Sequence, residues 1–98
     1  MEKIINQLIK FNRDRNWNKF HTPKNLGIAL SVEVAELNEL MQWKTQFESF
    51  TLPLGQVADE LADIMIYTLI LCYKFGLNPE KIISEKIVKN AKKYPVTN

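Results

Sequence analysis

Apolar residues recur at intervals of three and four along nearly the whole chain, a period that belongs to helices rather than strands. In the first stretch, about residues 2–15, Ile4, Ile5, Leu8, Ile9 and either Phe11 or Asn12 fall on one side. NWNKFHTPKN then breaks the pattern and ends in Thr22-Pro23, which suits the cap and first position of a new helix. A second helix is predicted over about 23–43, followed by KTQFESFTLP as a loop. A third is predicted over about 53–75, stopping at Gly76, and Asn78-Pro79-Glu80 starts a fourth over about 79–92. The tail leaves the helix at Tyr94, because the residue before Pro95 avoids the α region. No segment reads as a strand. Four helices joined by short connections predict an all-α fold, a four-helix bundle, in one domain spanning 1–98.

The second and third helices carry charges where a buried face needs none. Glu33, Glu36 and Glu39 stack beside the stripe of Leu30, Val34, Leu37 and Leu40. Glu60 and Asp63 sit beside Val57, Leu61, Ile64 and Leu71. An acidic pair on a helix ordinarily faces water. Two such pairs, Glu33–Glu36 and Glu60–Asp63, edge the apolar faces of consecutive helices that should lie side by side. Four converging carboxylates repel one another unless a cation compensates. Neither pair has a lysine or arginine three or four residues away on its own helix. A divalent ion answers the need, and all-oxygen ligands select a hard one, Mg²⁺ first and Mn²⁺ second. Zinc does not suit one histidine and one cysteine on separate segments, and a di-iron bundle would need Glu-x-x-His pairs that are absent. Glu39 is left over and reads either as a group supporting the ligands from behind or, the favoured reading, as a solvated residue.

The overall charge is +2, from 13 basic and 11 acidic side chains, which is not the balance of a dedicated nucleic-acid binder. Its distribution matters more. Acidic residues gather between Glu33 and Asp63, while Lys81, Lys86, Lys89, Lys92 and Lys93 dominate the last third. An acidic centre with a basic tail suits a metal and an anionic ligand together, although a solvated lysine face would look the same. Cys72 is the only cysteine and sits in the apolar run IMIYTLILCY, so no internal disulfide forms and a reducing, cytoplasmic setting is expected. That run is shorter than the ~20 apolar residues of a membrane span.

Trp43 and Tyr67 each stand seven residues beyond a carboxylate, Glu36 and Glu60. Two helical turns, about 10 Å, would put each ring on its carboxylate's face. A metal at one point and an aromatic surface some way off is the layout a nucleotide needs, with metal on phosphates and ring on base. Trp17, in a polar loop, is a third candidate, since core packing explains it less readily. His21 can orient a base or phosphate, or simply pack at the helix start. Lys24 and Asn25, at the same helix N-terminus, are possible phosphate contacts.

EVAE (33–36) and ELAD (60–63), in the order ExxE then ExxD on the next long helix, resemble the signature of the all-α nucleoside triphosphate pyrophosphohydrolases, the MazG-like superfamily. RNWNKFHTPKNL (15–26), EVAELNELMQWK (33–44), DELADIMIY (59–67) and KIVKNAKKYP (86–95) extend the resemblance over most of the chain. Trp17 with FHTPKNL, QWK and the terminal KYP is most similar to the dCTP pyrophosphatase branch.

The resemblance implies Mg²⁺ held by Glu33, Glu36, Glu60 and Asp63, with base stacking by Trp17, Trp43 and Tyr67. It also implies that Lys86, Asn90, Lys93 and Tyr94 reach phosphates or sugar. The implied reaction is hydrolysis of a (d)NTP to (d)NMP and pyrophosphate, with dCTP or a related or modified pyrimidine deoxynucleotide as substrate, in nucleotide-pool housecleaning. Glu36, then Glu33, is the expected general base. The implied assembly is a homo-oligomer, a dimer or tetramer whose subunits share the nucleotide pocket, so that Trp17 could serve a neighbour. One departure is Leu8, where the dCTP branch carries a histidine in the base pocket; it leaves base preference open. Two alternatives stand: another substrate of the superfamily (dUTP, phosphoribosyl-ATP or a damaged purine nucleotide), or a non-enzymatic helical interaction module. Neither a nucleic-acid nor a membrane partner is expected.

Overall fold

The computed structural model describes residues 1–97. Its helices are α1 (Glu2–Asp14), α2 (Pro23–Met41), α3 (Leu54–Phe75) and α4 (Pro79–Lys93), with short 3-10 turns at Asn18–Phe20 and Glu48–Thr51. No strand occurs among the described residues. The boundaries follow local chemistry. Thr22 Oγ1 accepts a hydrogen bond from the Asn25 amide at 3.2 Å, and Pro23 fills the first position of α2. Asn78 Oδ1 does the same for the Lys81 amide at 3.1 Å, ahead of Pro79. Gly76 ends α3 in the left-handed region, φ 68°, while the Leu77 amide donates to the Cys72 carbonyl at 2.8 Å.

Two elements differ from expectation. α2 stops at Met41, so Trp43 lies in the following turn and not on the helix. The 44–52 connection is ordered locally by a reciprocal cap. The Thr45 amide donates to Glu48 Oε1 (3.0 Å), and the Glu48 amide donates to Thr45 Oγ1 (3.1 Å).

α2 and α3 pack along each other, and α1 lies on α3. The core is small: Leu26, Leu52, Leu69, Ile70 and Cys72 are buried. Pro79 is the buried residue of α4, Glu80 pairs with the Met1 amino group at 3.3 Å, and Ile83, Ile87 and Val88 are exposed. The radius of gyration is 16.5 Å and the extents are 49 × 36 × 24 Å. A compact chain of this length would have a radius near ~13 Å. The four predicted helices are all present, but the protomer is elongated, and much of its apolar surface finds no cover within the chain. No helix among the described residues is long and apolar enough to cross a membrane.

Candidate active site

The pairing of α2 with α3 brings Glu33, Glu36 and Glu60 together. One carboxylate oxygen from each lies within 4.8 Å of the others. The three-residue spacing on α2 sets Glu33 and Glu36 on one side, and the neighbouring α3 supplies Glu60. Glu33 Oε2 and Glu60 Oε2 are buried and have no hydrogen-bond partner. The ion pairs among the described residues, Met1–Glu80 and Lys10–Asp14, lie elsewhere. Burial first, and then the neighbouring Glu60, Glu36 and Asp63, push the Glu33 carboxyl up to about 7. Burial also raises Glu60, with Glu36 and Asp63 adding to the effect, while its contact with Glu33 acts the other way.

Buried, unpartnered carboxylate oxygens crowded into one cluster are a poor way to stabilise a helix pair and a good way to hold a cation. The donor set is all oxygen and fits a hard divalent metal. Glu39 is exposed and takes no part.

One turn beyond Glu60, Asp63 lies outside the close trio and lines an adjoining pocket of about 460 Å³. The other walls are Leu8, Phe11 and Asn12 from α1, Trp17 and His21 from the connection, and Ile66, Tyr67 and Ile70 from α3. Trp17 gets there through a turn that folds back on α1. Asn16 adopts φ 56°, a left-handed conformation that asparagine tolerates, and the Trp17 amide donates to the Asn12 carbonyl at 2.9 Å. The indole then meets Phe11 edge-on, with centroids 5.6 Å apart, and His21 at 6.5 Å. Trp17 thus lines its own protomer's pocket, together with Tyr67.

The remaining expected ligand contacts are elsewhere. Trp43 is 88% exposed and does not line this pocket. The seven-residue spacing from Glu36 presumed continuous helix, and α2 ends two residues too soon. Lys86 and Asn90 line a shallow hollow on α4 with Ile82, Ile83 and Ile87. Lys93 Nζ lies over the Tyr94 ring at 5.4 Å, at the far end of the same helix. The Asn25 side chain is spent on the Phe20 carbonyl at 2.9 Å, which tightens the turn before α2. Phe11 and Asn12 are wall residues not singled out as ligand contacts from the sequence; the signal for Asn12 was a polar residue on the apolar side of α1.

An all-helical protein with facing acidic pairs beside an aromatic pocket is the class this geometry defines. The chain belongs to the MazG-like family, whose model matches residues 28–98. It is 35% identical over 101 aligned positions to rat dCTP pyrophosphatase 1 and 34% over 102 to the human protein, covering 98% and 97% of this chain. The chain spans 59% of the length of each of these relatives. A crystal structure of a pyrophosphatase from Archaeoglobus fulgidus superposes with a TM-score of 0.93 at 42% identity, covering 98% of this chain and 93% of that one.

Proposed function

We propose that the protein is a metal-dependent nucleoside triphosphate pyrophosphohydrolase that splits a (d)NTP into (d)NMP and pyrophosphate, with dCTP or a related pyrimidine deoxynucleotide as substrate. The observation that carries this reading is the Glu33–Glu36–Glu60 cluster, with two buried, unpartnered carboxylate oxygens, one helical turn along α3 from Asp63, which lines a pocket walled by Trp17 and Tyr67. Similarity to dCTP pyrophosphatases over nearly the whole chain supports the choice of reaction and substrate.

Glu33, Glu36 and Glu60 would hold the ion, with Asp63 as a fourth carboxylate. Mg²⁺ is the ion the oxygen donors favour, with Mn²⁺ as a substitute, and when bound it neutralises charge on the phosphates. The chain's own residues do the rest. Trp17 and Tyr67 hold the base, which fixes the α-phosphate over the carboxylates. Glu36 is the member of the trio with no buried, unpartnered oxygen. It takes the proton of the attacking water, with Glu33 second in line. Water oxygen bonds to the α-phosphorus, the bond from that phosphorus to the β-phosphate bridging oxygen breaks, and pyrophosphate leaves with the electron pair. Lys86 and Lys93 offset its charge, and Asn90 and Tyr94 contact phosphate or sugar.

These α4 residues and Trp43 stand free on the protomer's surface, and so do Phe47, Phe50 and Leu54, each more than 80% exposed. The protein works as a homo-oligomer in which such surfaces meet, and a neighbouring copy carries α4 and Trp43 to the site. Light scattering on the purified protein gives the stoichiometry.

The reaction is tested by incubating separate dNTPs and NTPs with Mg²⁺ or EDTA and identifying the products. Metal-dependent release of monophosphate and pyrophosphate, greatest for dCTP, is expected. Release of single phosphate would mean that a different bond is cut, and no turnover of any nucleotide would overturn the assignment.

A further inference from the structure

His21 is the only histidine in the chain and is not needed by the chemistry above. Its ring is edge-on to Trp17, its Nδ1 is buried, and that atom has no hydrogen-bond partner. An orphaned ring nitrogen costs stability unless something fills its valence. A histidine that only packed or capped the start of α2 would use this atom on the protein, yet Thr22 already caps the helix and Asn25 already ties down the Phe20 carbonyl. His21 belongs to the same pocket wall as Asn12, which is the one buried polar residue among the described residues. Most of the rest of that wall is aliphatic or aromatic. Burial and the nearby Lys74 ammonium hold the imidazole below its ordinary pKa. A neutral ring can present Nδ1 as donor or acceptor, according to its tautomer.

We infer that His21, with Asn12 beside it in the pocket wall, reads the hydrogen-bonding edge of the nucleobase and so sets base specificity. This rests on the nucleotide reading above. Stacking on Trp17 is tolerant of sequence, since every base has a π-face. Discrimination has to come from in-plane hydrogen bonds. A site built to make such a bond rejects a base that leaves it unmade far more strongly than an apolar slot can.

The test compares wild type, His21→Ala, His21→Gln and Asn12→Leu on the four dNTPs. For His21→Ala and Asn12→Leu, KM for the preferred substrate should rise about tenfold, with kcat little changed, and preference over the poorest base should shrink by a similar factor. His21→Gln, which keeps a polar group, should recover part of it. Unaltered KM and preference in a folded His21→Ala protein, with only a lower melting temperature, would overturn the inference and leave the nucleotide reading intact. Absence of turnover in wild type would instead overturn both.

A second readout needs no variant. In ¹⁵N-histidine-labelled wild type there is a single imidazole, so its Nδ1 resonance is assigned without ambiguity. Addition of dCMP in EDTA should move Nδ1, and deoxyribose 5-phosphate should not. Equal responses to the two would mean that the ring senses the sugar-phosphate and not the base, against the inference.

Discussion

α3 and α4 are both amphipathic, yet they meet different fates. α3 packs against both α2 and α1, buries Leu69, Ile70 and Cys72, and carries Glu60 into the acidic cluster. α4 buries little besides Pro79 and leaves Ile83, Ile87 and Val88 open to solvent. The first pattern makes a site inside one chain. The second leaves an apolar side that nothing among the described residues covers. The difference shows that helical periodicity says a face will be buried, but not against which partner.

The comparison can be broken most sharply on the site side. Glu36→Gln should lower kcat by about 10³-fold, as loss of a general base does, with the circular dichroism spectrum and melting curve retained. Full activity in this variant would remove Glu36 from the chemistry.

Next comes the packing of the α2–α3 side. Leu26 is 1% exposed, so Leu26→Ala should cost about 2–5 kcal/mol in urea unfolding, at any protein concentration. Ile83→Asp with Ile87→Asp on α4 should behave differently. Sedimentation should show smaller species, and stability should lose its dependence on protein concentration. A monomeric wild type would contradict the reading of α4 as an interface.

A smaller effect is the pH response of the metal-free protein. Glu33 binds its proton more tightly folded, at about 7, than at its ordinary value of 4.5. Stability from this group is therefore full below about pH 4.5 and declines as pH rises to about 7, where Glu33 ionises. Melting temperatures in EDTA should fall across that window, and less so in Glu33→Gln. Mg²⁺ should reverse the fall in wild type, because it binds the ionised form of the folded protein. The smallest effect sits at the junction of the two helices. Gly76→Ala, at φ 68°, should cost about 1 kcal/mol in the same urea assay.

Helix boundaries were legible because local chemistry fixes them. Thr22-Pro23, Gly76 and Asn78-Pro79 act through their own backbone and caps, with no distant partner. The acidic cluster was legible because Glu33, Glu36 and Glu60 break an apolar pattern that physics would otherwise keep intact. Trp43 was misplaced because the sequence signal for the end of α2 is weak: no glycine follows Met41, and nothing marks the two residues by which the helix falls short. Trp17's position depended on the left-handed turn at Asn16, and asparagine alone does not announce that conformation. The pocket wall formed by Asn12 and His21 needed α1, the connection and α3 brought together, which no single segment encodes.

The account turns on whether the facing carboxylates hold a divalent cation. Mn²⁺ titration of the protein, followed by electron paramagnetic resonance, measures this directly in wild type and in a Glu33→Gln, Glu60→Gln double variant. The account predicts Mn²⁺ binding to wild type that Mg²⁺ displaces, strengthening as pH rises through about 7, and lost in the double variant. Equal Mn²⁺ binding by both proteins, or none by either, would contradict it.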